Sequence, residues 1–125
     1  MIHLSEDEFA RLVDKALADV PEQFKGYMAN LAVEIRPQPT RRLLGRLKLR
    51  GAGSLLGLYH GASLMDRNVD APIGWPETIY IFQKNIEAIC DSPREIVREV
   101  RKTVLHEIGH HFGMSEEDLD ELGYG

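Results

Sequence analysis

The sequence lacks the features that mark secreted and membrane-spanning proteins. It holds a single cysteine, Cys90, which excludes an intrachain disulfide and a cluster of thiolate zinc ligands. No apolar run approaches the ~18 residues that a membrane-spanning helix requires. Residues 1–8 are acidic and do not show the basic, then apolar, pattern of a secretory signal. These absences favour a cytoplasmic protein without a membrane span.

An excess of basic residues is also missing. The chain has 15 Lys and Arg against 20 Asp and Glu, so its formal net charge is -5. This balance argues against general nucleic-acid binding. The apolar share of 43% and the charged share of 28% are typical of a soluble globular protein. The length suits one core, so residues 1–125 are expected to form a single domain without internal repeats.

Helix signals occur at both ends of the chain. Residues 5–18 are predicted to be helical because Ser5 and Glu8 form a capping box ahead of an apolar stripe. A second short helix is predicted over residues 22–28, after Pro21.

The last long helix is predicted to begin at a second capping box, Ser92 and Glu95, and to end at Gly113. Its apolar face should pack in the core, whereas Glu99 and Thr103 lie away from that face. The apolar face consists of Val97, Val100, Val104, Leu105, Ile108 and Phe112. Ser115 is placed to cap a final short helix that contains Leu119 and Leu122.

Three segments between these helices have strand character: residues 31–35, 55–59 and 78–82. The last of them is the strongest, because it is rich in β-branched and aromatic residues. Residues 66–75 are predicted to be a loop, and residues 83–88 are either a loop or a short helix. The order α, α, β, β, β, α, α predicts an α+β fold with a small mixed sheet backed by helices.

Residues 40–50 differ in composition from the rest of the chain. They contain five of the fifteen basic residues, interleaved with leucines: Arg41, Arg42, Arg46, Lys48 and Arg50. The favoured interpretation is a solvated loop or short amphipathic turn between two strands. The alternative is a surface for an anionic partner or a membrane.

The strongest motif is H-E-x-x-H, within residues 106–116, which read HEIGHHFGMSE. On a helix, His106 and His110 leave the same face, one turn plus a little apart. Two imidazoles so placed suit a tetrahedral Zn²⁺, and Glu107 lies beside them to accept a proton from a metal-bound water. Both histidines fall away from the apolar face of the helix. The sequence therefore predicts a zinc site there.

A catalytic zinc takes a third protein ligand and keeps one position open for water. Gly113 lets the chain turn back after the helix, and the pattern H-E-x-x-H-x-x-G-x-x-ligand makes Glu116 the third ligand. The adjacent acids Glu117 and Asp118 are rivals for this role. The predicted metal ligands are His106, His110 and Glu116.

Other residues near the motif have weaker signals. A structural role is expected for the remaining histidines, His3, His60 and His111. An oxyanion-stabilising residue is left open among Tyr59, Tyr80 and Tyr124. An extended strand near the helix can bind a peptide by strand addition, and residues 78–82 are the candidate.

Four segments together make the chain resemble the short bacterial zincin-like metallopeptidase family. They are ALADVPE at residues 16–22, LLGLYHG at 55–61, TIYIF at 78–82 and HEIGHHFGMSE at 106–116. The resemblance implies a minimal zincin fold, in which a short sheet has an edge strand above the zinc helix. It also implies that His106 and His110 bind zinc, Glu107 is the catalytic base and Glu116 completes the site.

Three functions from different classes follow from these observations. The first is a zinc-dependent peptidase that acts on a peptide or protein. The second is a zinc-stabilised interaction domain with little or no catalysis. The third is an anion- or membrane-associated regulator that works through residues 41–50.

Overall fold

A computed structural model describes residues 1–28, 31–46, 55–60, 77–111, 113 and 115–121. The predicted loop at residues 66–75 lies outside these ranges. Within them the secondary structure follows the chain as α1 (Glu6–Ala18), α2 (Glu22–Met28), β1 (Leu31–Arg36), α3 (Arg41–Arg46), β2 (Gly57–His60), β3 (Glu77–Phe82), α4 (Gln83–Ala88), α5 (Pro93–His111) and α6 (Glu116–Glu121).

The strands form a three-stranded mixed sheet in the order β1-β3-β2. β1 runs parallel to β3, with Leu31 opposite Glu77, and β2 runs antiparallel to β3, with Gly57 opposite Ile81. The predicted α+β fold is confirmed. The interpretation of residues 78–82 as an open strand for peptide addition is wrong, because β3 is paired on both sides. A strand rich in β-branched and aromatic residues is typical of a central strand with both faces covered.

The core lies between one face of the sheet and the two longest helices, α1 and α5. The capping box predicted for α1 forms, since the Ser5 hydroxyl accepts from Glu8 N–H at 3.1 Å and the Glu8 carboxylate accepts from Ser5 N–H at 3.3 Å. At the start of α5 the Ser92 hydroxyl accepts from Glu95 N–H at 3.2 Å as predicted, whereas the Glu95 carboxylate accepts from Asp91 N–H at 2.7 Å. α1 contributes Phe9, Val13 and Ala16 to the core, and β3 contributes Ile79 and Ile81. α5 contributes Ile96, Val100, Val104, Leu105 and Ile108. Across the described ranges, no helix is both long and apolar enough to cross a membrane.

The edge strand β2 lies against α5. A Cβ added to Gly57 would stand 2.5 Å from Thr103 Cγ2 and 3.1 Å from the Tyr80 carbonyl oxygen. Contacts that close force a shift, so a larger residue would displace the Thr103 side chain, the strand or the helix. The glycine therefore allows β2 to approach α5 on the face that carries Thr103.

Short helices form in two segments. For residues 40–50 the sequence favours a loop or short turn, and for residues 83–88 it predicts a loop or a short helix. α3 occupies part of the basic segment, where the Thr40 hydroxyl accepts a hydrogen bond from Leu43 N–H at 3.1 Å. Leu44 is 8% exposed, so burial of one leucine helps to hold this short helix. Residues 47–50 lie outside the described ranges.

α4 follows β3 directly and connects distant parts of the chain. Asn85 donates from Nδ2 to the Leu55 carbonyl at 2.6 Å, which fixes the segment just before β2. The buried Glu87 carboxylate accepts from Leu4 N–H at 2.8 Å and from Gln83 Nε2 at 3.2 Å. These polar contacts give the buried groups of α4 their partners.

Candidate active site

The H-E-x-x-H motif lies in the last turns of α5. Val104, Leu105 and Ile108 of this helix are buried, whereas His106 and Glu107 are half-buried. The His106 position therefore lies outside the core-facing stripe, as the apolar periodicity predicts. His110 follows one turn later in the same helix, and its side chain and those of His111 and Phe112 lie outside the described part of the structure.

The chain reverses direction after α5 and enters α6. Gly113 has φ +83°, a left-handed conformation that glycine adopts without the steric cost of a Cβ. Ser115 then caps α6 as predicted: its hydroxyl accepts from Asp118 N–H at 3.1 Å. Glu116 is the first residue of α6, and its side chain lies outside the described part.

The Asp118 carboxylate takes part in the same cap. It accepts a hydrogen bond from Ser115 N–H at 2.9 Å, and the bonds from Ser115 lower the pKa of Asp118. A carboxylate held in this way is less available to a metal ion. Asp118 and Glu117 are both exposed, and Asp118 already has a structural role in the cap.

α6 packs against α5 at Gly109, in the helical turn that joins the two motif histidines. A Cβ added to Gly109 would stand 2.5 Å from Leu119 Cδ2, and Leu119 is fully buried. α6 therefore crosses α5 within the turn from His106 to His110. Glu116 lies one helical turn before Leu119, so the contact holds its backbone close to the motif.

The opposite boundary of the motif is formed by β2. Its neighbour on α5, Thr103, lies three residues before His106, which is about one turn along the same face. Phe82 N–H donates to the Leu56 carbonyl at 3.0 Å. In an antiparallel pair, the backbone groups of every second residue point toward the neighbouring strand, so this bond fixes which residues of β2 bond to β3. Leu58 and His60 then pair with β3 through their backbones.

The backbone groups of Gly57 and Tyr59 consequently point away from β3. They line the side of β2 that no described strand occupies. This edge, and not β3, is the one that could receive an extended peptide beside α5. The sequence could not reveal this, because the order of strands depends on pairing between distant segments.

The three tyrosines considered for oxyanion stabilisation have different positions. Tyr59 is paired with Ile79, so it lies on the sheet face that contacts α5. Burial and a hydrogen bond with Glu77 raise the pKa of Tyr59 well above its ordinary value. Tyr80 lies on the other face, under the Arg36 guanidinium, which excludes it from this role. Tyr124 lies outside the described residues.

The chemistry of the donor set fits zinc. Two imidazoles and a carboxylate are ligands that Zn²⁺ takes in catalytic sites. Burial, followed by the charges of Glu99 and Glu95, raises the pKa of Cys90 to about 11, so this buried thiol stays protonated at neutral pH. Among the side chains that the structure describes, no three potential ligands come together, and His110 and Glu116 are not in that set.

Replacing Gly109 with alanine tests the packing at this site. The added Cβ would collide with the Leu119 side chain, so either this side chain or α6 as a whole must shift. We expect Gly109→Ala to weaken zinc binding about tenfold or more without altering a proposed ligand, a change of ~1.4 kcal/mol or more. The measurement is zinc affinity by competition with a chelating dye, together with the melting temperature of the metal-free protein.

The matched control is Gly26→Ala in α2, where an added Cβ meets no atom within 4 Å. This change should leave zinc affinity unchanged and stabilise the helix slightly, because alanine has the higher helix propensity. Equal zinc affinity of Gly109→Ala and the unmodified protein would show that α6 does not position a ligand.

Comparison with known proteins agrees with this architecture. The sequence model of one family, described as zincin-like metallopeptidase, matches residues 28–125. The match includes the sheet, α5 and α6, and it confirms the family resemblance seen in the sequence. A comparison with curated proteins found no match.

Proposed function

Because the chain belongs to the zincin-like metallopeptidase family, we propose that it is a zinc-dependent peptidase with its active site at the C-terminal end of α5. Family membership implies zinc and peptide substrates. The observation that carries the proposal is the crossing of α6 over the turn between His106 and His110, where Leu119 packs on Gly109. The proposed unit is the whole chain, residues 1–125, since α1 shares the core of α5.

His106, His110 and Glu116 are the zinc ligands in this proposal. The two histidines share one helix face, and after the turn at Gly113 Glu116 is the first residue of α6, the helix that packs on α5 at Gly109. Because Asp118 caps α6, Glu116 is favoured over Asp118 as the third zinc ligand. Three protein ligands leave one coordination position open, as hydrolysis requires.

Glu107 is the proposed general base. When bound, zinc supplies Lewis acidity, which makes water acidic enough to lose a proton near neutral pH and polarises a carbonyl group. The Glu107 carboxylate accepts the proton of the attacking water and then delivers it to the leaving amine. Because Glu107 adjoins His106 on a rigid helix, its carboxylate is held beside the metal ligands without a loop movement.

The substrate lies along the open edge of β2 in this proposal. Gly57 and Tyr59 offer backbone donors and acceptors there, and β2 contacts α5 one turn before His106. Backbone pairing would hold the peptide extended over the site with little selection among side chains. The Tyr59 hydroxyl, bonded to Glu77, faces the same side of the sheet as α5.

Substitution of the proposed base tests the activity. We expect Glu107→Gln to retain zinc and to lose about a hundredfold or more in cleavage of a quenched-fluorescent peptide library, since general-base catalysis contributes about 10²–10⁴. Glu99→Gln, on the same helix two turns earlier, serves as control and should cleave normally. Cleavage by Glu107→Gln at the normal rate would exclude Glu107 as the base.

A zinc-loaded protein that cleaves no peptide, yet unfolds when zinc is removed, would favour the interaction-domain function.

Backbone substitution of a substrate tests the binding edge. Once a cleaved peptide is known, each of its amides can be N-methylated in turn. An added strand directs alternate amides toward its neighbour, so we expect cleavage to fall at every second position. Loss only at the scissile bond, or no loss anywhere, would contradict strand addition to β2.

A further inference from the structure

Basic residues are segregated in one part of this acidic chain. Residues 35–65 contain no Asp or Glu and six basic residues: Arg36, Arg41, Arg42, Arg46, Lys48 and Arg50. The rest of the chain has nine basic and 20 acidic residues, a net charge of -11. Such segregation produces a positive region that attracts anions despite the negative total charge. The proposed peptidase chemistry assigns no role to these six basic residues.

The described part of this segment adjoins the sheet face that points away from α5. Leu58 is paired with Tyr80 on that face, and Phe82 lies beside Arg36. α3 borders the same face through Leu43. A cavity of about 460 Å³ remains between them, with an apolar floor of Leu43, Leu58, Tyr80 and Phe82.

Two arginines stand at the rim of this cavity. The Arg36 guanidinium is held by the Glu34 carboxylate at 2.7 Å and lies 5.7 Å from the centre of the Tyr80 ring. Arg42 also lines the cavity, and it forms no ion pair with any residue that the structure describes. The Arg36 guanidinium is therefore held in place before any ligand binds, whereas the Arg42 guanidinium is available to a ligand.

We propose that this cavity binds a small aromatic anion. Its volume is within the range of about 300–1,000 Å³ that is typical of small-molecule sites. A ligand ring would pack on the half-buried Leu43, Leu58 and Tyr80, and its carboxylate, phosphate or sulfonate would bind Arg42. The concave shape favours a compact ligand over a flat membrane surface.

A second groove offers positive charge without this apolar floor. It runs between α1 and α5 and is lined by Leu12, Val97 and four basic residues, but by no aromatic ring among the described residues. It provides a comparison site for the same ligand class. To show which of the two positions binds the ligand, one arginine is substituted in each: Arg42 in the cavity and Arg98 in the groove.

The probe is 8-anilinonaphthalene-1-sulfonate, an aromatic anion that fluoresces in apolar surroundings. We expect saturable binding of one molecule per chain, weakened about three- to tenfold by Arg42→Gln. Arg41→Gln removes the same charge from the adjacent residue, which does not line the cavity, and should change binding less than twofold. N-phenyl-1-naphthylamine, which lacks the sulfonate, should bind more weakly and be insensitive to Arg42→Gln.

Several outcomes would overturn the proposal. Equal effects of Arg41→Gln and Arg42→Gln would indicate a diffuse charge effect without a site. Loss of binding in Arg98→Gln would assign the probe to the other groove. Displacement of the probe by hexaglutamate at comparable concentration would identify an acidic peptide as the occupant. Circular dichroism and melting temperatures of each variant exclude unfolding as the source of any change.

Discussion

The packing of Leu119 on Gly109 is the contact on which the C-terminal end of this protein depends. α6 has six residues, too few to be stable as an isolated helix, so tertiary packing must hold it. Burial of one leucine contributes about 1.5–3 kcal/mol toward holding this segment in place. The Ser115 cap and the Gly113 turn orient the segment, but they do not determine where it crosses α5. The missing Cβ at Gly109 permits the close contact with Leu119, in the turn between His106 and His110.

A second close approach, at Gly57, arranges the other side of the motif. There the edge strand comes against Thr103, one turn before His106. One close contact at a glycine, with the sheet, thus lies one turn before the motif, and the other, with α6, lies within it. A rigid helix between two packed neighbours is a suitable support for a metal site, because ligands must be held to within a fraction of an ångström. The open edge of β2 then lies near the position where the proposed chemistry takes place.

Local signals in the sequence predicted the helix starts correctly, because a capping side chain acts on residues two or three positions away. Ser5, Ser92 and Ser115 each accept the expected backbone hydrogen bond. The central position of β3 was not predictable in this way, since strand order depends on pairing between residues far apart in the chain. α3 was also missed: its Gly45 disfavours a helix, and burial of Leu44 in the tertiary structure compensates. Gly109 was overlooked as a packing residue, although a glycine in the interior of a helix, at a cost of about 1 kcal/mol, is itself a sign of close approach.

The central claim is that Glu116 completes a zinc site with His106 and His110. Native mass spectrometry of protein purified without chelators tests it directly, on the unmodified chain, Glu116→Ala and Glu117→Ala. The account predicts one zinc ion per chain in the unmodified protein and in Glu117→Ala, and loss of most of it in Glu116→Ala. Full zinc occupancy in Glu116→Ala, or loss in Glu117→Ala instead, would contradict the assignment of the third ligand. An unmodified protein that cannot be loaded with zinc would contradict the peptidase function itself.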